Sequence, residues 1–112
     1  MKRRIAIPTN DGKLCSHFGH CEKFYFADIE DGKMIAHEFV SPPRHEPGVY
    51  PAWIKEQGAT EVICGGIGQK AIALFQKEGI KLYIGVESND PNMVVEAFLN
   101  NTLSTGENAC DH

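Results

Sequence analysis

The sequence predicts a mixed α/β sheet, and three observations support this fold class. The first is a nearly continuous apolar run at residues 4–8, as found in strands that are covered on both faces. The second is a hairpin pattern, in which aromatic-rich segments at residues 23–29 and 33–40 flank an Asp-Gly turn. The third is an alternation of helix and strand patterns after residue 48, which favours parallel strands joined by right-handed crossovers.

The first half of the chain is predicted to hold three strands. Pro8 is expected to end the first strand, and residues 9–12 have turn chemistry. In the second hairpin strand, His37 is expected to be an exposed or edge residue. Residues 41–48 contain three prolines, so they can form neither a helix nor a central strand. This loop carries a ligand-capable side chain, His45.

The second half is predicted to alternate helices and strands. Gly58 and Gly79 suit the ends of two helices, and Asp90-Pro91 is a typical start for a third, which Asn100-Asn101 would end. The expected helices cover residues 49–57, 69–77 and 91–100, and the expected strands cover residues 60–64 and 80–85. We therefore expect one domain over residues 1–102, followed by a flexible tail over residues 103–112.

Composition excludes several functional classes. The 112 residues have a formal charge of −4, which gives no broad basic face for nucleic acid. The one basic cluster, at residues 2–4, is interpreted as a solvated N-terminus. Neither a signal peptide nor a membrane-spanning stretch is evident, so a cytoplasmic protein with reduced thiols is expected.

A short segment after the first strand is rich in metal-ligating side chains. Cys15, His17, His20 and Cys21 fall within seven positions. Sulfur and imidazole donors select zinc, copper and iron–sulfur species. The spacing is not that of a zinc finger, and four ligands to one ion would be cramped. From spacing alone, a metal site and a polar loop with incidental thiols are equally supported.

The glycine-rich turn Gly65-Gly66-Ile67-Gly68 is the second candidate for chemistry. It lies between a predicted strand and a predicted helix, where free backbone amides favour anions. It imitates a dinucleotide fingerprint, but a phosphate or an anionic cluster is the better interpretation in so short a chain. A tight turn needed only for packing remains an alternative. The adjacent Cys64 is expected to be a buried packing residue.

We expect these two segments to meet. If the strands that precede them are adjacent and parallel, both loops open onto the same edge of the sheet, where ligands gather in such folds. Cys110 and His112, near the end of the chain, could then cover a bound metal species.

Motifs along nearly the whole chain resemble the dinitrogenase iron–molybdenum cofactor biosynthesis domain. The combination of His17-Phe18-Gly19 with the Gly65–Gly68 turn, in this order and spacing, is fairly specific. The other matching motifs are Ile5-Ala6-Ile7-Pro8-Thr9, Phe24-Tyr25-Phe26, His45-Glu46-Pro47-Gly48, Leu74-Phe75, Gly79-Ile80 and Asn108-x-Cys110-Asp111-His112.

The resemblance implies a ribonuclease-H-like fold: a five-stranded mixed sheet, with strand 2 antiparallel and helices on both faces. It also implies a non-catalytic carrier of an iron–sulfur or molybdenum, iron or copper sulfide cluster, because the similar orange proteins hold a molybdenum–copper sulfide. A cluster-delivery or acceptor protein would be its partner, and the chain would be a monomer or weak homo-oligomer.

In the family, the histidine before Phe-Gly is associated with the cofactor, and here that residue is His17. The expected cofactor-binding residues are His17, Phe18, Gly19, His45, Gly65, Gly66, Ile67 and Gly68, and the expected metal ligands are Cys15, His17, His20, Cys21, Cys110 and His112. Two alternatives are a small enzyme or sensor that binds a phosphorylated metabolite or nucleotide at the glycine turn, and a structural zinc protein.

Overall fold

One sheet with helices against it is formed by the described part of the chain, which is residues 2–18, 21–44 and 49–106 of a computed structural model. The strands are β1 (Lys2–Asn10), β2 (Lys13–Leu14), β3 (Lys23–Glu30), β4 (Lys33–Val40), β5 (Glu61–Ile63) and β6 (Lys81–Tyr83). The helices are α1 (Val49–Glu56), α2 (Gln69–Lys77) and α3 (Pro91–Leu99). Among these residues, no helix is long and apolar enough to cross a membrane.

The strand order is β4-β3-β1-β5-β6, with β2 paired to the end of β1. β3 is antiparallel to both of its neighbours, whereas β5 and β6 run parallel to β1. This confirms the predicted mixed sheet and the parallel second half. The expected count of five strands is wrong, because Asp11 and Gly12 both have positive φ and turn Lys13 and Leu14 back onto β1 as a sixth, two-residue strand.

The predicted end of β1 at Pro8 is also wrong, since the strand continues to Asn10. Proline interrupts a sheet only where its missing N–H is needed by a neighbouring strand. β5 pairs with Ile5 and Ala6 alone, so no ladder bond to β5 is required of Pro8. Its carbonyl instead accepts a hydrogen bond of 2.7 Å from the amide of Cys15.

Helices cover both faces of the sheet, as expected. Tyr50 and Ile54 of α1 and Phe75 of α2 are buried against one face, in a core that contains the fully buried Cys64. Val94 and Val95 of α3 are buried against the other face, which carries Ile5, Ile7, Leu14, Tyr25, Ala27, Ile29 and Ile63. The alternation of side chains along β1 supplies both cores.

Local signals define most element boundaries. The Asp90 side chain accepts a hydrogen bond of 2.8 Å from the Asn92 amide and caps α3, with Pro91 at its first position. Gly58 and Gly79 have φ of 85° and 75°, as expected after helix ends. The strands β5 and β6 are each shorter than predicted, since they cover Glu61–Ile63 and Lys81–Tyr83 rather than residues 60–64 and 80–85.

The N-terminal arginines are not a solvated cluster, which corrects the interpretation made from composition. Arg3 contacts the buried carboxylate of Glu61 at 2.6 Å, and Arg4 bonds Asp28 at 2.8 Å and Glu38 at 3.0 Å. Burial opposes the charge of Arg4, but the hydrogen bonds to the two carboxylates outweigh it and raise the pKa of Arg4. We call these five residues the charged rim. Arg3, Arg4 and Glu61 lie at the beginnings of β1 and β5, and Asp28 and Glu38 lie on β3 and β4.

Candidate functional site

Two loops meet at the opposite end of the sheet from the charged rim. The loop after β1 and the turn after β5 form an isolated parallel bridge between His17 and Gly66. The amide of Phe18 donates to the Gly66 carbonyl at 2.7 Å, and the amide of Gly66 donates to the Ser16 carbonyl at 2.7 Å. The predicted convergence of the two segments is therefore confirmed, and we call this place the loop junction.

Gly65 is needed because the two backbones approach closely. A Cβ atom on Gly65 would lie 2.7 Å from the Ser16 carbonyl oxygen and 3.0 Å from its Cα atom. Real Cβ atoms do not come so near to backbone, so a larger residue would push the loops apart. Gly65 and Gly66 thus serve the contact between the loops, and the Gly66 amide is occupied by Ser16.

A third loop, which follows β6, continues the same network. The Gly85 amide donates to the Gly65 carbonyl at 2.9 Å, and the Val86 amide donates to the Cys64 carbonyl at 3.1 Å. The amide of Gly106 in turn donates to the Ile84 carbonyl at 3.1 Å. Backbone hydrogen bonds therefore link four segments side by side.

Phe18 anchors the first loop to the helices. Its ring packs edge-on against Phe24, Tyr50 and Phe75, with centroid distances of 5.8, 5.9 and 5.6 Å. These partners come from β3, α1 and α2, so one side chain fixes the loop relative to three elements. The adjacent His17 is thereby held at the surface, where its residue is exposed.

The Cys15 thiol lies beneath this loop rather than at its surface. Cys15 is 4% exposed, and its Sγ donates to the His17 carbonyl at 3.1 Å. The same sulfur accepts a hydrogen bond of 3.2 Å from the Asn10 amide nitrogen. In this conformation Cys15 fixes the backbone on which His17 stands.

Cys21 is half-buried against the core that contains Tyr50. Burial raises the pKa of the Tyr50 hydroxyl, and the charge of a Cys21 thiolate raises it further. Both effects favour the protonated form of the Tyr50 hydroxyl. On the other face, burial and the charge of Asp90 raise the pKa of Tyr25 to about 12, and its hydroxyl donates to Asn92.

The glycine turn ends in a helix start that favours anions. Gly68 is the N-cap of α2, has φ of −73° and makes no side-chain cap. Lys70 is exposed in the first turn, which contains no acidic residue. The amides of a first helical turn and a nearby cation both attract negative charge. Ile67 points instead into the core, where it is fully buried.

The structure thus brings together part of the predicted site. His17, Phe18, Cys15 and the Gly65–Gly68 turn share one region, with Cys21 beside it. Gly19, His20, His45, Cys110 and His112 lie outside the described residues. Within residues 2–18, 21–44 and 49–106, no three His, Cys, Asp or Glu side chains are grouped as a ready-made metal site.

Sequence reasoning missed two contributors to this region. The side-chain nitrogen of Asn10 donates a hydrogen bond to the Cys15 sulfur, and the side-chain oxygen of Asn10 accepts one of 2.7 Å from the backbone amide of Glu22. Asn10 therefore connects the two ends of the first loop. Gly85 contacts Gly106 so closely that a Cβ on Gly85 would lie 2.4 Å from the Gly106 backbone. Gly85 is the last residue of the strand predicted over residues 80–85, and a glycine at a strand end was a usable signal, but its partner lies 21 residues further along the chain.

Comparison with known proteins gives a consistent result. The family model described as dinitrogenase iron–molybdenum cofactor matches residues 1–101. The uncharacterized protein MJ0580 of Methanocaldococcus jannaschii is 34% identical over 85 residues, which cover 71% of this chain and 72% of that protein.

Solved structures have the same fold. The crystal structure of PH0822 is 35% identical, with a TM-score of 0.85 over 92% of this chain and 96% of that one. The apo form of the orange protein from Desulfovibrio gigas is 25% identical, with a TM-score of 0.76 over 95% and 94% of the two chains. The likeness extends over nearly the full length of both structures.

Proposed function

Because the chain belongs to the dinitrogenase iron–molybdenum cofactor family, we propose that it binds and carries a metal–sulfur cluster and does not turn it over. The cluster would be an iron–sulfur species or a sulfide of molybdenum, iron or copper. It is cargo in this proposal, received from a delivery protein or passed to an acceptor protein.

The loop junction is the observation that carries this proposal. It places an exposed imidazole, His17, on a backbone bonded directly to the turn that opens α2. Metal–sulfur clusters are anionic, and imidazole can ligate their metal or donate a hydrogen bond to their sulfide. The helix start at Gly68 and the cation of Lys70 add attraction for the negative charge.

The donors present fit such a cargo in distinct roles. We propose His17 as the main contact and Cys21 as a further sulfur donor, while Phe18 anchors the loop. Cys15 is proposed to act through the His17 carbonyl, because its buried sulfur is already engaged by two hydrogen bonds. Gly19, His20 and His45 stay predicted contacts.

The alternatives have less support. A nucleotide pocket at the glycine turn would need the Gly66 amide for phosphate, but that amide is occupied by Ser16. A structural zinc ion would need a closed set of ligands, which the described residues do not group.

We also propose a description of the fold and a location for the protein. The order β4-β3-β1-β5-β6 with an antiparallel β3 supports the ribonuclease-H-like description of the fold. We also predict a cytoplasmic location, where the thiols would stay reduced.

The test is anaerobic reconstitution of the wild type, His17→Ala and His37→Ala. Ferrous iron with sulfide is offered to one set, and tetrathiomolybdate with copper(I) to another. His37 is the matched control, since it is an exposed histidine on β4, the strand at one edge of the sheet. We expect the wild type and His37→Ala to retain metal, sulfide and visible absorption, and His17→Ala to retain at least about tenfold less. Equal retention in all three proteins, or metal–sulfur absorption in none, contradicts the proposal.

A further inference from the structure

The two edge strands of the sheet differ in how well they are protected. β6 has three residues, and the carbonyl of Ile84 directly after it already accepts a hydrogen bond of 3.1 Å from Gly106. β4 has eight residues, six of them exposed, and within the described part of the chain it pairs with β3 alone. Alternate N–H and C=O groups of β4 therefore point outward without a strand partner. Such an edge favours pairing with another strand.

The sequence of β4 contains few of the features that protect an edge strand. Lysine or proline within the strand is a common protection, but residues 34–40 contain neither, and the first proline is Pro42. A bulge leaves Ile35 without an opposite residue on β3, and the ladder then continues to Val40. The side chains of Ile35 and Phe39 are 55% and 46% exposed. The edge is thus both long and apolar.

The pairing with β3 fixes the face of the sheet on which the side chains of β4 lie. Met34, His37 and Phe39 lie opposite residues of β3 that belong to the core under α3. The rings of His37 and Phe39 pack on the tyrosine of β3, with centroid distances of 5.4 and 5.2 Å. Lys33 and Glu38 lie opposite β3 residues of the other face. One face of the edge is therefore apolar, and the other carries one charge of each sign.

We propose that β4 pairs with β4 of a second copy of this chain, antiparallel about a two-fold axis that passes through His37 normal to the sheet. Because of the bulge, Met34 of each copy then lies opposite Phe39 of the other, which gives two sulfur–aromatic contacts. Lys33 of each copy is the diagonal neighbour of Glu38 of the other, so two attractive charge pairs form. An axis at Glu38 would instead bring two carboxylates opposite each other.

The contact is small, so we expect a weak dimer. Stable interfaces bury about 1,600 Å² in total, and the edge of one eight-residue strand falls below this, among transient contacts. A Kd of about 100 µM follows for such a contact, and the chain is then monomeric in dilute solution. Because the two β4 strands are antiparallel, the two loop junctions lie at opposite ends of the joined sheet. Pairing therefore neither requires nor alters the proposed cluster binding.

Self-association is tested by sedimentation equilibrium at protein concentrations from about 10 µM to about 1 mM, on both sides of the expected Kd. Phe39→Lys is compared with Met93→Lys, the same kind of change at a side chain of α3 that is 59% exposed. We expect the wild type and Met93→Lys to associate equally and Phe39→Lys at least about tenfold more weakly, because a lysine blocks the edge. A wild type that stays monomeric throughout, or equal association of Phe39→Lys, overturns the proposal.

The register is tested by cross-linking between copies, which also decides the matter if Phe39→Lys does not fold. In His37→Cys the new thiol lies opposite its counterpart, with the two Cα atoms about 5 Å apart, which is within disulfide reach. In Lys33→Cys, at another exposed position of β4, the counterparts lie roughly 20 Å apart. We expect peptide mapping during mild oxidation to show the 37–37 disulfide forming at least about tenfold faster than the 33–33 disulfide. Equal rates overturn the proposed pairing.

Discussion

The two ends of the sheet are joined in different ways. At the charged rim, side chains make the connections: Arg3 with Glu61, and Arg4 with Asp28 and Glu38. At the loop junction, backbone groups connect the segments and glycines allow them to approach. The charged rim therefore has its charges engaged in structure, whereas the loop junction can present side chains such as His17 to a ligand. Substitutions at the two ends should therefore change the free energy of unfolding by different amounts and with a different dependence on salt.

The largest expected effect is the loss of the anchor at the loop junction. Phe18→Ala should lower the free energy of unfolding by about 3 kcal/mol, because it removes a half-buried ring that contacts three other rings. Chemical denaturation measures the change. The control is Phe39→Ala, whose ring is 46% exposed and which should cost less than about 1 kcal/mol. Equal costs would show that the loop does not depend on this anchor.

A smaller loss is expected from crowding the backbone contact. Gly65→Ala should cost about 2 kcal/mol, since its new Cβ meets the Ser16 carbonyl oxygen. Gly68→Ala is the matched change in the same turn and should cost less than about 1 kcal/mol, because its Cβ meets open space and only the preference of the N-cap for glycine over alanine is lost. Thermal or chemical unfolding of both variants decides the comparison. A cost for Gly68→Ala as large as that for Gly65→Ala would refute the steric argument.

The smallest effect is expected at the charged rim. Asp28→Asn should cost about 0.5 kcal/mol at low salt, since Asp28 is partly exposed and its attraction to Arg4 is screened by solvent. In about 1 M salt the cost should shrink, because the screening length falls to about 3 Å. The measurement is denaturation at two salt concentrations, with Asp31→Asn in the exposed hairpin turn as control. The cost of Gly65→Ala should not change with salt, and a salt-independent cost at Asp28 would contradict the contrast between the two ends.

The sequence alone was sufficient to predict those features that depend on residues close together in the chain. Asp31 and Gly32 define the hairpin with positive φ at both positions, and Asp90-Pro91 starts α3 as predicted. The helix over residues 69–77 has the predicted bounds, because its apolar residues recur at helical spacing and Gly79 follows it. The meeting of the two candidate loops was also predictable, since parallel neighbouring strands end at the same edge.

Tertiary structure decided the features that depend on distant partners. Pro8 does not end β1, because the neighbouring β5 is too short to need its missing amide. The sequence predicts that Arg3 and Arg4 are solvated. The folded sheet instead brings the carboxylates of Glu61, Asp28 and Glu38 beside them. Likewise, the contact that Gly65 makes with Ser16 could not be foreseen from the turn alone. Local backbone preferences act over a few residues, so they can be predicted from the sequence. These contacts join residues that are distant in the chain and that only the folded sheet brings together.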